Sequence, residues 1–122
     1  MNRRNATLRW VGRVVSIAGL FIAVDARAVD AAAAEALMKD SGCTKCHTVD
    51  RKKGGPAYRD VAAKYRDKSD AESEITHHVT SGEKVKFPDG HEESHKKVKV
   101  KDVNETKNLV LWIMSLEGGK KY

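Results

Sequence analysis

Apolar positions fall along this chain in several distinct patterns, and each pattern predicts a different kind of segment. Near the start a largely apolar run, Val14 to Val24, follows the basic residues Arg3, Arg4 and Arg9. From Val29 to Lys39 the chain is rich in alanine, with Leu37 and Met38 near its end. That composition favours a helix, and Ser41-Gly42 supplies its stop. Tyr58, Val61, Ala62 and Tyr65 recur at helical spacing, with Pro56 placed where a helix can begin. Ser69 followed by Glu72 has the form of a capping box; it opens a third predicted helix through Ile75 and Val79, closed by Gly82. The clearest amphipathic stripe comes last. Leu109, Trp112, Ile113 and Leu116 sit at i, i+3, i+4 and i+7, behind a cap signal at Asp102 and Glu105 and ahead of Gly118-Gly119.

Between the third and last helices the pattern breaks down. Glu83 to Lys101 is mostly His, Lys and Glu with scattered valines, and Phe87-Pro88-Asp89-Gly90 is turn chemistry. This reads as an irregular loop, long enough to expect a function of it. Val98 and Val100 alternate with lysines, so a short strand is expected there if anywhere. The periodicity as a whole predicts an all-α domain.

The apolar run of residues 14–24 spans 11 positions, well short of the roughly 20 a membrane-spanning helix requires. It is followed by Ala26-Arg27-Ala28, small residues in the spacing of a cleavage site. Charge, apolar core and A-x-A in that order read as a secretory signal peptide over residues 1–28, with one domain over 29–122 and export to the periplasm. The whole chain carries 23 Lys+Arg against 17 Asp+Glu, a net of +6. Five of those basic residues and only one acid lie in the first 28, so the remainder carries 18 against 16, a net of +2. The basic character belongs largely to the leader and gives no ground for nucleic-acid binding. Nor does the mature segment offer a membrane span.

The chemistry is concentrated in Cys43-Thr44-Lys45-Cys46-His47. The pattern C-x-x-C-H is the attachment signature of c-type haem, in which each thiol bonds one vinyl group and the histidine becomes the proximal iron ligand. These are the only two cysteines in the chain, so no structural disulfide competes for them. Two other readings use the same thiols. A thioredoxin-type pair wants a strand before the first cysteine, and none is predicted. A zinc site could add His91 and His95 as H-x3-H, but across an interval far longer than a finger allows.

At this point the chain resembles the small bacterial class I monohaem cytochromes c of the short type. The resemblance rests on the helix ending in CTKCH (43–47), on GGPAYRDVAAKY (54–65) and on NLVLWIMSLEGG (108–119), and it spans nearly all of the mature segment. It implies a class I cytochrome c-like fold of about four short helices around one covalently attached haem c, with Cys43 and Cys46 bonded to it. It implies that the first and last helices cross, bringing Leu37 to the stripe of Leu109 and Trp112. It implies that His47 is the proximal ligand and that the Pro56 carbonyl accepts a hydrogen bond from it. The function implied is single-electron transfer between redox partner proteins, such as an acidic partner or a dehydrogenase, and not enzymatic catalysis.

One departure stands out. Members of that family offer a distal methionine in the loop before the last helix, and no methionine lies between Gly82 and Asp102. Met38 and Met114 read as core or partly exposed helix residues. The family position falls near Lys96, so His95 is the first candidate for the sixth ligand and His91 the alternative. If neither binds, the iron is open on that side and the chain becomes a haem-based module for binding or sensing small ligands. His77 and His78 are expected at the surface. Lys45, Arg51, Lys52 and Lys53 near the motif, with Lys96, Lys97, Lys99 and Lys101 in the loop, are placed to steer an acidic partner.

Overall fold

The computed structural model describes residues 28–119; the expected signal peptide lies outside the described residues apart from its last position. Four α-helices carry the fold: α1 (Ala31–Asp40), α2 (Tyr58–Tyr65), α3 (Ala71–Ser81) and α4 (Val103–Ser115). A hairpin of two three-residue strands, β1 (Lys84–Lys86) and β2 (Glu92–Ser94), fills part of the segment between α3 and α4.

The last helix is the hub. α1, α2 and α3 all pack against α4, which buries Thr106, Leu109, Val110, Trp112 and Ile113. Burying each large apolar side chain in such a stripe stabilises the fold by about 1.5–3 kcal/mol. α1 answers with Ala34 and Met38, and Leu37 packs at the edge of the same cluster. The start of α1 is clasped to the middle of α4 by side-chain bonds. Asp30 N–H donates to Asn108 Oδ1 at 2.9 Å, and Asn108 Nδ2 donates back to the Asp30 carbonyl at 2.8 Å. Met38 is thus a core residue, whereas Met114 is partly exposed.

The caps differ in detail from the sequence reading. Asp102 caps α4 as expected, accepting from Asn104 N–H at 2.8 Å. Glu105 reaches back to the Lys101 N–H. Asp30 caps α1 by accepting from Ala33 N–H. The Ser69–Glu72 box does not form: Asp70 occupies the N-cap of α3 without a side-chain bond to the helix. Nor does α2 begin at Pro56. Its N-cap is Ala57, and Pro56 stays outside with its carbonyl turned elsewhere.

The loop from Glu83 to Lys101 holds more order than its composition predicts. Strands β1 and β2 pair antiparallel, with Val85 opposite Glu93, about the turn at Phe87-Pro88-Asp89-Gly90. The short strand expected at Val98–Val100 is absent; Val98 instead donates its N–H to the Val79 carbonyl and packs against the core. Three-residue strands with one half-buried side chain, Val85, leave too short an alternation for periodicity to register. The fold remains mostly helical, and its hairpin lies where the functional loop was expected.

Candidate haem site

The five-residue motif is wound into a tight turn directly after α1. Gly42 adopts a left-handed φ of 77°, which lets the chain reverse there without a Cβ penalty. Residues Cys43–Lys45 then form a single 3-10 turn, closed by Cys46 N–H to Cys43 O at 3.1 Å. With three residues per turn, side chains at i and i+3 fall on the same side. That is the reason this spacing presents Cys43 and Cys46 together, and both lie on the wall of one cavity. Burial pushes the Cys43 thiol pKa up, against an opposing hydrogen bond with Tyr58.

His47 follows on the same wall. Its Nδ1 donates to the Pro56 carbonyl at 2.7 Å, which leaves Nε2 as the free, lone-pair nitrogen. The ring is stacked on Tyr58, 5.0 Å between centres, and Tyr58 in turn meets Trp112 edge-on at 6.0 Å. The His47 imidazole is therefore propped by the core and not by solvent. Burial lowers its pKa, with the Pro56 bond opposing and His78 adding to the fall. A glycine pair completes this side. A Cβ at Gly55 would come within 2.5 Å of His47 Cε1, and one at Gly54 within 3.3 Å of Phe87 Cε1.

Across the cavity stands His95, directly after β2. Its ring centre is 6.0 Å from that of His47, tilted by 59°. Its Nδ1 is buried with no hydrogen-bond partner, a rare condition for a polar atom and one that calls for an explanation. Burial pushes its pKa down to about 4, with His78 and His47 lowering it further and the Lys96 backbone opposing. Burial thus favours the neutral form of both imidazoles, the form that ligates a metal.

The alternative distal candidate, His91, is placed elsewhere. It sits exposed near the hairpin tip, where its Nδ1 pairs with Asp89 and its Nε2 lies 3.3 Å from Glu93. Its ring stacks on Phe87 at 4.4 Å, and it does not line the cavity. This geometry also leaves His91 off the cavity that the two cysteines and His95 line. Among the described residues no group of three or more His, Cys, Asp or Glu is arranged to hold a metal ion. Neither Met38 nor Met114 reaches the cavity wall.

His78 is the residue that the sequence reading misplaced. Half-buried, it lines the cavity, pairs with Glu83 and leans on His95 with ring centres 4.1 Å apart. The signal was available: Ala71, Ile75, His78 and Val79 share one helical face, and the other three are buried. His77 is exposed as expected.

The cavity between the two imidazoles measures about 560 Å³. Apolar Val61, Ile75, Val85 and Phe87 share its wall with the two thiols. His47 and His95, with ring centres 6.0 Å apart across it, are the imidazoles that would hold a metal in this cavity. Paired thiols, a propped imidazole, an orphaned imidazole nitrogen opposite it and a side-chain-free approach at Gly54-Gly55 all fit a covalently held porphyrin.

Comparison with known proteins agrees. The family model described as Cytochrome c matches residues 31–117. The crystal structure of the class 1 cytochrome MtoD from Sideroxydans lithotrophicus ES-1 superposes with a TM-score of 0.71 at 56% sequence identity. That alignment covers 75% of this chain and 100% of the other. Cytochrome c-551 of Allochromatium vinosum is 38% identical over 66% of this chain and 82% of its own length. Cytochrome c-551 of Pseudomonas aeruginosa is 46% identical over 39% of this chain; the match spans 46% of that relative, about half its length. The chain therefore belongs to the cytochrome c family, as a small class I monohaem cytochrome whose Cys43 and Cys46 fit the attachment of haem c.

Proposed function

We propose that this protein is a periplasmic single-electron carrier whose haem iron is held between His47 and His95. The observation that carries the reading is the pair of imidazoles facing one cavity, 6.0 Å apart, with a buried and unpartnered nitrogen on His95. Haem supplies an iron that cycles between ferrous and ferric states. The residues do the rest. Cys43 and Cys46 anchor the ring through the single turn that aligns them. His47 is the proximal ligand, oriented by the Pro56 carbonyl; such a partner fixes the ring and raises its basicity. Tyr58 and Trp112 keep that imidazole from turning. His95 would hold the iron from the distal wall and so leave that side closed to a substrate. A thioether ligand raises the potential of cytochromes c; with imidazole in its place, the potential is expected below that of methionine-ligated relatives.

The periplasmic location rests on the basic, apolar and A-x-A order of the first 28 residues. The partners are redox proteins, an acidic carrier or a dehydrogenase, approached through the lysines near the motif and the distal loop.

Substituting His95→Ala tests the ligand set. The ferric protein should change from a low-spin to a high-spin spectrum and bind carbon monoxide readily when reduced. An unchanged low-spin spectrum would remove His95 from the iron. A methionine-to-iron charge-transfer band in the unmodified protein would overturn the bis-histidine reading altogether. Unhindered carbon monoxide binding by the unmodified protein would favour the ligand-binding alternative.

A further inference from the structure

The second imidazole on the distal wall has no role in that scheme, yet it is more tightly placed than a surface histidine. His78 projects from the last turn of α3 into the cavity wall, and its ring centre lies 4.1 Å from that of His95, tilted by 47°. Its Nδ1 is paired with the Glu83 carboxylate. The same Glu83 accepts the His95 N–H through its main-chain carbonyl at 2.8 Å. One residue thus holds the His78 imidazole by its side chain and the His95 main chain by its backbone. Glu83 is itself directed by the helix end, where Gly82 takes a left-handed φ of 69° and Ser81 Oγ accepts the Glu83 N–H.

This arrangement supplies what His95 lacks by itself. His95 directly follows a three-residue strand, and neither nitrogen of its ring makes a hydrogen bond that would fix its rotation about a bond to a metal. A ring held only by its own torsions can turn about the bond to a metal. A neighbouring ring at van der Waals contact, itself pinned by a carboxylate, blocks that rotation. We propose that His78, pinned by Glu83, is a positioning residue that sets the orientation of the distal imidazole and the strength of its bond to the iron. The proposal rests on His95 being the distal ligand.

Outer partners of metal-bound histidines are commonly worth about 10–100-fold in affinity or activity. In His78→Ala, cyanide should therefore bind the ferric protein about tenfold faster or more, since entry waits on release of the distal ligand. The low-spin electron paramagnetic resonance signal should broaden or split as His95 adopts more than one orientation. His78→Phe keeps a ring face and should restore a single signal and a slow cyanide rate. Glu83→Gln, which keeps a hydrogen-bond acceptor, should fall between His78→Ala and the unmodified protein. All variants are compared as haem-loaded protein with thermal stability measured alongside, so a general loss of fold is separated from a loss of orientation. If His95→Ala becomes high-spin but His78→Ala keeps the parent signal and cyanide rate, the positioning role is wrong and the ligand assignment stands. If His95→Ala stays low-spin, the ligand assignment fails first and the proposal falls with it.

Discussion

Gly55 is the position where the absence of a single side chain matters most. Its N–H donates to Cys46 O at 2.7 Å and its carbonyl accepts from Lys53 N–H at 3.0 Å, so its backbone is tied on both sides. A Cβ there would meet three atoms of the His47 ring at 2.5 to 2.9 Å, well inside the 3.5–4.0 Å or so of ordinary carbon contact. The ring, not the backbone, would have to move, and it would give up its bond to Pro56. Gly55→Ala is expected to lower stability by about 1–3 kcal/mol. It should also leave part of the haem-loaded protein without the parent ferric spectrum; melting and absorption measurements check both. Gly54→Ala should be milder, because its nearest neighbour is the edge of the Phe87 ring at 3.3 Å. The presence of Gly54-Gly55 was legible in the sequence as a turn. That one of them makes room for the His47 imidazole was not, because a steric requirement of this kind exists only between residues already brought together.

At the scale of elements, the hairpin carries its own ionic latch. His91 is held by Asp89 and Glu93 and stacks on Phe87, whose N–H donates to the His91 carbonyl at 2.9 Å. The hydrogen bond to the Asp89 carboxylate, with Glu93 adding to it, raises the His91 pKa above the usual imidazole value. A raised pKa means that the stabilisation is fully present below about pH 6.5, the ordinary imidazole value. It is lost as pH rises through the higher value of the folded hairpin. Hydrogen-exchange protection of the Phe87 amide should therefore fall as pH climbs above that point, and His91→Asn should abolish the dependence. A flat profile in the unmodified protein would show that the latch contributes nothing. Helix α4 could be read from its stripe and cap because one element supplied both. The hairpin could not, since each strand spans three residues and its pairing is non-local. His78 lay between these cases: its helix was predicted and its face was countable, but nothing local said that this face looks into a cavity.

For the molecule as a whole, the placement of the basic residues differs from what the net charge suggests. Outside the first 28 residues the net is only +2, yet Lys45, Arg51, Lys52 and Lys53 are exposed beside the attachment turn. Lys64, Lys86 and Lys96 line the cavity itself. If they steer an acidic redox partner, the bimolecular electron-transfer rate should fall roughly tenfold as ionic strength rises from about 0.01 to 0.15 M and the Debye length shrinks from about 30 to 8 Å. Stopped-flow mixing with an acidic acceptor would measure it, and a salt-independent rate would rule out steering by these lysines.

The attachment motif, the four helices and the missing distal methionine were all determined by sequence alone. Each depends on residues within a turn or two of one another, or on simple absence. Counting back along the chain ranked His95 ahead of His91, but which of the two faces the cavity was decided only by the tertiary structure. His91 and His95 are four residues apart in one polar loop, and composition treats them alike. The hairpin register sends His95 to the cavity wall and leaves His91 among carboxylates near its tip. It also sets His95 beside His78, seventeen positions earlier in the chain. Pairing between strands and packing against α3 make that choice, and both are relations between distant residues that no local pattern encodes.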